Sequence, residues 1–163
     1  MDFSRLETEI DGILANSNRA LTKGGARERL QALCDWMRER VPHYDWFGFY
    51  VARKSEPLLD LGPFAGEQTE HVLIPFGRGI CGQAAQSREI FLVDDVSAAS
   101  NYLACSLKVK SEIVVPVMEP ASGEVAGEID IDSHTVAAFG SEDRAFLEEL
   151  AAKVAADVAA LRR

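Results

Sequence analysis

Two thiols and a row of acids stand out in this 163-residue chain. Cys81 follows the turn Gly77-Arg78-Gly79-Ile80, and Cys105 lies 24 positions after it. Glu112 comes shortly afterwards, and Glu128, Asp130 and Asp132 occupy alternate positions near the end of the chain's apolar middle. A thiolate attacks electrophilic sulfur, a second thiol resolves the adduct, and a carboxylic acid supplies the proton that a departing oxygen needs. These residue types together point to thiol redox chemistry.

Elements must bring them together. Glu128, Asp130 and Asp132 alternate as on one face of a strand, with Val125, Gly127, Ile129 and Ile131 on the other. Alternation alone equally describes a solvated polar face. The preceding strand discriminates. Glu112 shares a face with Asp130 or Asp132 only if opposed residues have numbers summing to an even value. A regular four-residue loop at 120–123 would set Glu112 opposite Ile131 instead. A functional acid row therefore requires a three- or five-residue loop, or a bulge.

Cys81 follows two glycines at an expected helix start, where the dipole and free amides lower a thiol pKa. Amides at that start, at Gly79 and Ile80, could grip a substrate carboxylate. Gly77-x-Gly79 is not a phosphate loop, because neither GxxxxGK[ST] nor GxGxxG surrounds it. Cys105 falls in an irregular stretch, 94–110, read as a long loop with a helical turn around the cysteine. Cys34 lies on the apolar stripe of a helix and reads as a small core hydrophobe. Trp46 and Tyr50 share a strand face and read equally as core or as pocket wall, with Gly48 between them leaving a gap that a ligand could fill. His43, His71 and His134 lack ligand spacing, so no metal is expected. Glu119, Glu124, Glu142, Asp143, Glu148 and Glu149 read as solvated charge.

The scaffold is α+β. Apolar spacing predicts helices over 3–16 and from about 25 to 41, ended by Pro42. Strands follow at 45–52, 58–62 and 70–74, a short helix at 80–87, and strands at 89–93, 112–118 and 124–132. A last helix opens at the N-cap Ser141, with Phe146, Leu150, Val154, Val158 and Leu161 on one stripe. The long stripes of the terminal helices suggest a homodimer. With 17 basic against 26 acidic residues the net charge is −9, which repels nucleic acid and anionic membranes. The charged N-terminus lacks a secretion signal's apolar core, and no apolar run reaches membrane-spanning length, so a cytoplasmic setting is expected. Three cysteines there are buried or reactive thiols rather than a disulfide framework.

Trp46-Phe47-Gly48-Phe49-Tyr50, Leu61-Gly62-Pro63-Phe64-Ala65-Gly66, Ile74-Pro75-Phe76-Gly77-Arg78-Gly79-Ile80-Cys81-Gly82, Ala104-Cys105, Ser111-Glu112-Ile113-Val114-Val115-Pro116 and Asp130-Ile131-Asp132-Ser133 occur in this order. Taken as a set, they resemble the GAF-domain free methionine-(R)-sulfoxide reductases. The resemblance implies one GAF-like domain over 1–163: N-terminal helices at about 3–41, sheet and pocket at about 45–133, and a C-terminal helix at about 141–161. The central antiparallel sheet would have about six strands, with terminal helices on one face and loops or short helices covering a pocket on the other. It implies thiol-dependent reduction of free methionine-(R)-sulfoxide, without a cofactor and with thioredoxin as reductant. By motif, Cys105 would be the nucleophile and Cys81 its partner. Glu112, Asp130 and Asp132 would hold substrate and help protonate its oxygen, while Trp46 and Tyr50 would line the pocket for the methyl-thioether end. The family's frequent cysteine ten positions before Cys81 is His71 here, and its usual His-Ile-Ala-Cys-Asp reads Tyr102-Leu103-Ala104-Cys105-Ser106. Resolution then falls to Cys81. A GAF module that only binds a small molecule is the alternative. The chain carries no kinase, cyclase or DNA-binding segment to report binding, which favours the enzyme.

Overall fold

The computed structural model describes residues 1–15, 22–99 and 107–163. Its elements run α1 (Ser4–Ala15), α2 (Lys23–Arg40), β1 (Trp46–Ala52), β2 (Leu58–Ala65), β3 (Leu73–Pro75), α3 (Gly79–Ser87), β4 (Phe91–Val93), β5 (Ser111–Met118), β6 (Val125–Ser133) and α4 (Ser141–Leu161). A 3-10 turn, Val96–Ala98, follows β4. The strands form one antiparallel sheet in the order β3-β2-β1-β6-β5-β4.

The two-residue period of β1 sorts its side chains. Phe47, Phe49 and Val51 join Ile113, Val115, Val117, Ile129 and Ile131 against α1, α2 and α4. Trp46 and Tyr50 lie on the opposite face with Val114, Ile80, Cys81, Ala84 and Ala85, under α3. Both faces are covered, as a strand apolar on both sides requires. The stripes of α1, α2 and α4 are used within this core, which removes the reason to infer a homodimer from them. A bidentate pair ties α2 to α4: Arg29 Nη2 lies 2.6 Å and Nε 3.1 Å from the carboxylate oxygens of the buried Asp157. Cys34 is core, its thiol donating to the Pro63 carbonyl at 3.4 Å.

The β5–β6 hairpin resolves the register question. Glu119 N–H donates to Glu124 O across a four-residue loop, 120–123, turned by Gly123 at φ +70°. That loop alone would give the wrong parity. One residue further the ladder shifts, from Met118 opposite Val125 to Val117 opposite Gly127, so Ala126 is an extra residue in β6. The bulge restores even parity, and Glu112 faces Asp132. It also corrects one assignment: Val125 turns to the α3 side while Ala126 takes the place expected for it in the core.

Other boundaries move for local reasons. β3 begins at Leu73, not residue 70: its ladder with β2 pairs Leu73, Ile74 and Pro75 with Asp60, Leu59 and Leu58, and ahead of it only the Val72 carbonyl meets β2, at Leu61 N–H. β2 extends to Ala65 through an irregularity at Gly62 and Pro63, where a proline without an N–H is tolerated. β4 shortens to Phe91–Val93. The glycines expected to break the chain before α2 form its first turn, behind the N-cap Thr22, whose hydroxyl accepts from Gly25 N–H. The N-cap of α4 is Gly140, not Ser141; its N–H donates to Asp143 Oδ2 at 2.9 Å.

Asp143 is therefore not solvated charge. It is buried and also takes hydrogen bonds from the Tyr44 hydroxyl and His43 Nε2, at 3.0 and 2.7 Å. Burial raises its pKa, but these bonds outweigh that and hold it below the ordinary carboxylate range. Glu119, half-buried, pairs with the buried Arg162; Glu124 pairs with it too but stays exposed, as solvated charge does. Among the described residues no helix is long and apolar enough to cross a membrane.

Gly127 tests the packing. A Cβ there would meet the Tyr50 carbonyl oxygen at 2.2 Å and Val158 Cγ1 at 2.9 Å. Gly127→Ala should destabilise the fold by about 2–3 kcal/mol, read as a lower urea midpoint at unchanged slope.

Candidate active site

The acid row forms because three strands place alternate residues on one face. Trp46, Gly48 and Tyr50 of β1 oppose Asp132, Asp130 and Glu128 of β6. On the other flank Glu112, Val114 and Pro116 of β5 oppose the same three acids. All four carboxyls are buried, none more than 5% exposed. The solvated-face reading of the alternation therefore fails.

Cys81 is brought over this row by α3. Gly82 permits the approach, since a Cβ there would lie 2.4 Å from the Pro75 carbonyl oxygen. The Cys81 sulfur sits 3.8 Å from Glu112 Oε1. Single ligand atoms of Cys81, Glu112 and Asp130 all fall within 4.8 Å of one another. Such a group has metal-ligating chemistry, although no histidine contributes to it. Neither oxygen of Glu128, nor Oδ1 of Asp130 or Asp132, has a hydrogen-bond partner among the described residues.

Burial dominates the electrostatics. It pushes Glu112 and Asp132 well above the usual carboxylate range, Asp130 adding to the shift in both, and it raises Glu128 in the same way. Asp130 is pushed up less, to about 6, because hydrogen bonds from Cys81 and Glu112 favour its charged form. For Cys81 the expectation of a lowered pKa is overturned. Burial, and then the fields of Asp130, Glu128 and Glu112, push the thiol well above its ordinary value despite its place in the first turn of α3.

The aromatic wall differs in one respect from the sequence reading. The Trp46 indole lies over Gly48, so that a Cβ there would be 2.4 Å from its Cη2; the glycine gap is filled by the neighbouring indole. Trp46 stacks on Phe64 at a centroid distance of 5.3 Å and donates from Nε1 to the Glu67 carbonyl at 3.0 Å. The Tyr50 hydroxyl donates to the His71 carbonyl at 2.9 Å. Gly79 and Ile80 are buried in the first turn of α3, ahead of its first intrahelical bond, from Gly82 N–H to Arg78 O. A small cleft of about 20 Å³, bordered by Trp46, Thr69, Val109, Asp132 and His134, opens beside the row.

Cys105 and the helical turn expected around it lie outside the described residues. The residues flanking that stretch meet the site: Ala99 packs against the Trp46–Cys81 cluster, and Val109 borders the cleft. The structure thus gathers Cys81, Glu112, Asp130, Asp132, Trp46, Tyr50, Gly79 and Ile80 on one side of the sheet. Glu128, which the sequence reading set on the same strand face as Asp130 and Asp132, stands in the row with them.

The GAF domain model matches residues 25–156. The type II free methionine-R-sulfoxide reductase of Thermoplasma acidophilum superposes with a TM-score of 0.79 at 45% identity, covering 85% of this chain and 95% of that one. This chain belongs to the GAF-domain free methionine-R-sulfoxide reductase family. The reductase of Neisseria meningitidis, solved in complex with its substrate, superposes with a TM-score of 0.82 at 32% identity, over 94% of this chain and 86% of the other. The free methionine-R-sulfoxide reductase of Saccharomyces cerevisiae is 44% identical over 108 residues, which are 66% of this chain and 59% of the yeast protein.

A family site built from buried acids leaves a pH signature. Asp130 binds a proton more tightly folded than unfolded, so its contribution to stability is full below pH 3.8 and is lost as pH rises through about 6. Asp130→Asn should therefore gain stability over the wild type across this window and hold the gain above it. Urea unfolding at pH 4, 5, 6 and 7 measures the difference; a constant difference would place the Asp130 pKa at its unfolded value.

Proposed function

We propose that this chain reduces free methionine-(R)-sulfoxide to methionine, with Cys105 as nucleophile, Cys81 as resolving thiol and thioredoxin as reductant. The observation that carries the reading is a thiol 3.8 Å from a carboxyl within a buried row of acids whose pKa values are raised. Acids that stay protonated near neutral pH are what sulfoxide chemistry needs, because the oxygen is a poor leaving group until it is protonated.

In this reading Glu112, Asp130 and Asp132 hold the sulfoxide and share in protonating its oxygen. The Cys105 thiolate attacks the sulfoxide sulfur, methionine departs, and the oxygen stays on Cys105 as a sulfenic acid. Cys81 then displaces that oxygen as water, forming a disulfide that thioredoxin reopens. Trp46 and Tyr50 face the methyl-thioether end, and the amides of Gly79 and Ile80 receive the substrate carboxylate. Recycling by thioredoxin suits a reducing, cytoplasmic setting.

Thioredoxin-coupled NADPH oxidation with the free amino acid sulfoxide tests this. The wild type should turn over, and Cys105→Ser should lose at least about 1,000-fold in rate. A wild type that binds the sulfoxide without turnover would be a sensor instead. Cys81→Ser should release one methionine per chain and then stop; steady turnover in that variant would remove Cys81 from the cycle.

A further inference from the structure

Cys81, Glu112 and Asp130 come from three elements, α3, β5 and β6, yet each places one ligand atom within 4.8 Å of the other two. All three are buried, at most 6% exposed. The Cys81 sulfur stands 3.8 Å from Glu112 Oε1. A sulfur and an oxygen that share a tetrahedral Zn2+ at ordinary bond lengths lie about 3.6 Å apart. That pair is already at ligand spacing, and Asp130, within 4.8 Å of both, joins it by a side-chain shift of roughly 1 Å.

A second observation points to a cation. Asp130 Oδ1, Asp132 Oδ1 and both Glu128 oxygens are buried and have no hydrogen-bond partner among the described residues. Register places all of them on the face that Cys81 covers, with Asp132 opposite Glu112 and with Asp130 and Glu128 at the preceding alternate positions of β6. Buried carboxyl oxygens are satisfied by donors or by coordination to a metal ion.

The donor set selects the ion. Mg2+ and Ca2+ take oxygen ligands, six or more of them, and leave a thiolate aside. Zn2+ binds thiolate and carboxylate together in four-coordinate sites. Three protein ligands leave one position for water, and the open oxygens of Glu128 and Asp132 share its face as acceptors for that water's hydrogen bonds.

We propose that Cys81, Glu112 and Asp130 form a Zn2+ site, closed by a water in the fourth position. Binding exchanges the thiol proton for the ion: the proton leaves to solvent, the Zn–S bond forms, and no electron moves. The ion takes groups that the redox cycle proposed above also uses, so the zinc-bound and sulfoxide-reducing states exclude each other. Binding does not rest on that cycle; the exclusion does. Histidine spacing could not reveal the site, because its ligands are a thiol and two acids that converge only in the fold.

The reduced full chain is titrated with ZnCl2 by calorimetry, and its zinc K-edge absorption fine structure is recorded at one equivalent. One ion should bind per chain with a Kd of about 10 µM or tighter, and its first shell should hold one sulfur with oxygens completing it. Weaker binding overturns the site, as does a shell without sulfur or one built on histidine nitrogen. Cys81→Ser and Asp130→Asn should each weaken binding by about 100-fold or more, since loss of even a supporting partner reaches that range. Asp130→Asn removes a carboxyl that burial disfavours as an anion and is expected to fold. Wild-type affinity in either variant overturns the site.

Methionine release from the free sulfoxide is then followed as Zn2+ is added. It should fall in proportion to the filled fraction and return with a chelator; release unchanged by a filled site overturns the exclusion. A chain that releases no methionine even without zinc refutes the reductase reading and the exclusion with it, while the site stands or falls on the titration and the sulfur in its shell.

Discussion

The site depends on one extra residue in a hairpin. Ala126 bulges from β6 and changes the parity of the β5–β6 ladder, so that Glu112 stands opposite Asp132 instead of Ile131. Because side chains alternate strictly, a slip of one residue would turn Glu128, Asp130 and Asp132 into the helix-packed core and send Ile129 and Ile131 to the α3 face. Two covered faces make that slip costly twice. The bulge thus selects which face is chemical, and the apolar pressure of α2 and α4 on Ile129 and Ile131 holds the selection.

Burying four carboxyls on one face is unfavourable for their charged forms. Desolvation, reinforced by the field of Asp130, raises the proton affinity of Glu112, Glu128 and Asp132. The same surroundings disfavour a Cys81 thiolate, and outweigh the thiol's place in the first turn of α3. Helix α3 contributes position more than activation: Gly82 lets its backbone pass close to Pro75, and Cys81 lands above the row.

Family membership places this geometry among enzymes named for free methionine-R-sulfoxide, one of them solved with its substrate. Within that setting His71 and Glu128 are the features to note. The Tyr50 hydroxyl holds the His71 backbone, while Tyr50 itself stands opposite Glu128 in the ladder, so one tyrosine links a histidine outside the sheet to the acid row inside it.

Much of this was legible in the residues. Periods of two and of three to four placed nearly every strand and helix, because burial rewards those patterns wherever the element packs. The thiol and the acids announced their chemistry by type, and the parity argument stated in advance that an irregularity was required. Sequence could not say that the irregularity would be Ala126, because bulge position depends on how β6 meets β1 and α4 together. Nor could it say that Trp46 folds over Gly48, that Asp143 is buried under His43 and Tyr44, or that Cys81 is raised rather than lowered. Composition and alternation by themselves determined the fold class and that Glu128, Asp130 and Asp132 share one strand face. Tertiary structure alone decided which acids share a dry face with the thiol, since desolvation and fields depend on neighbours that converge only when distant strands pair.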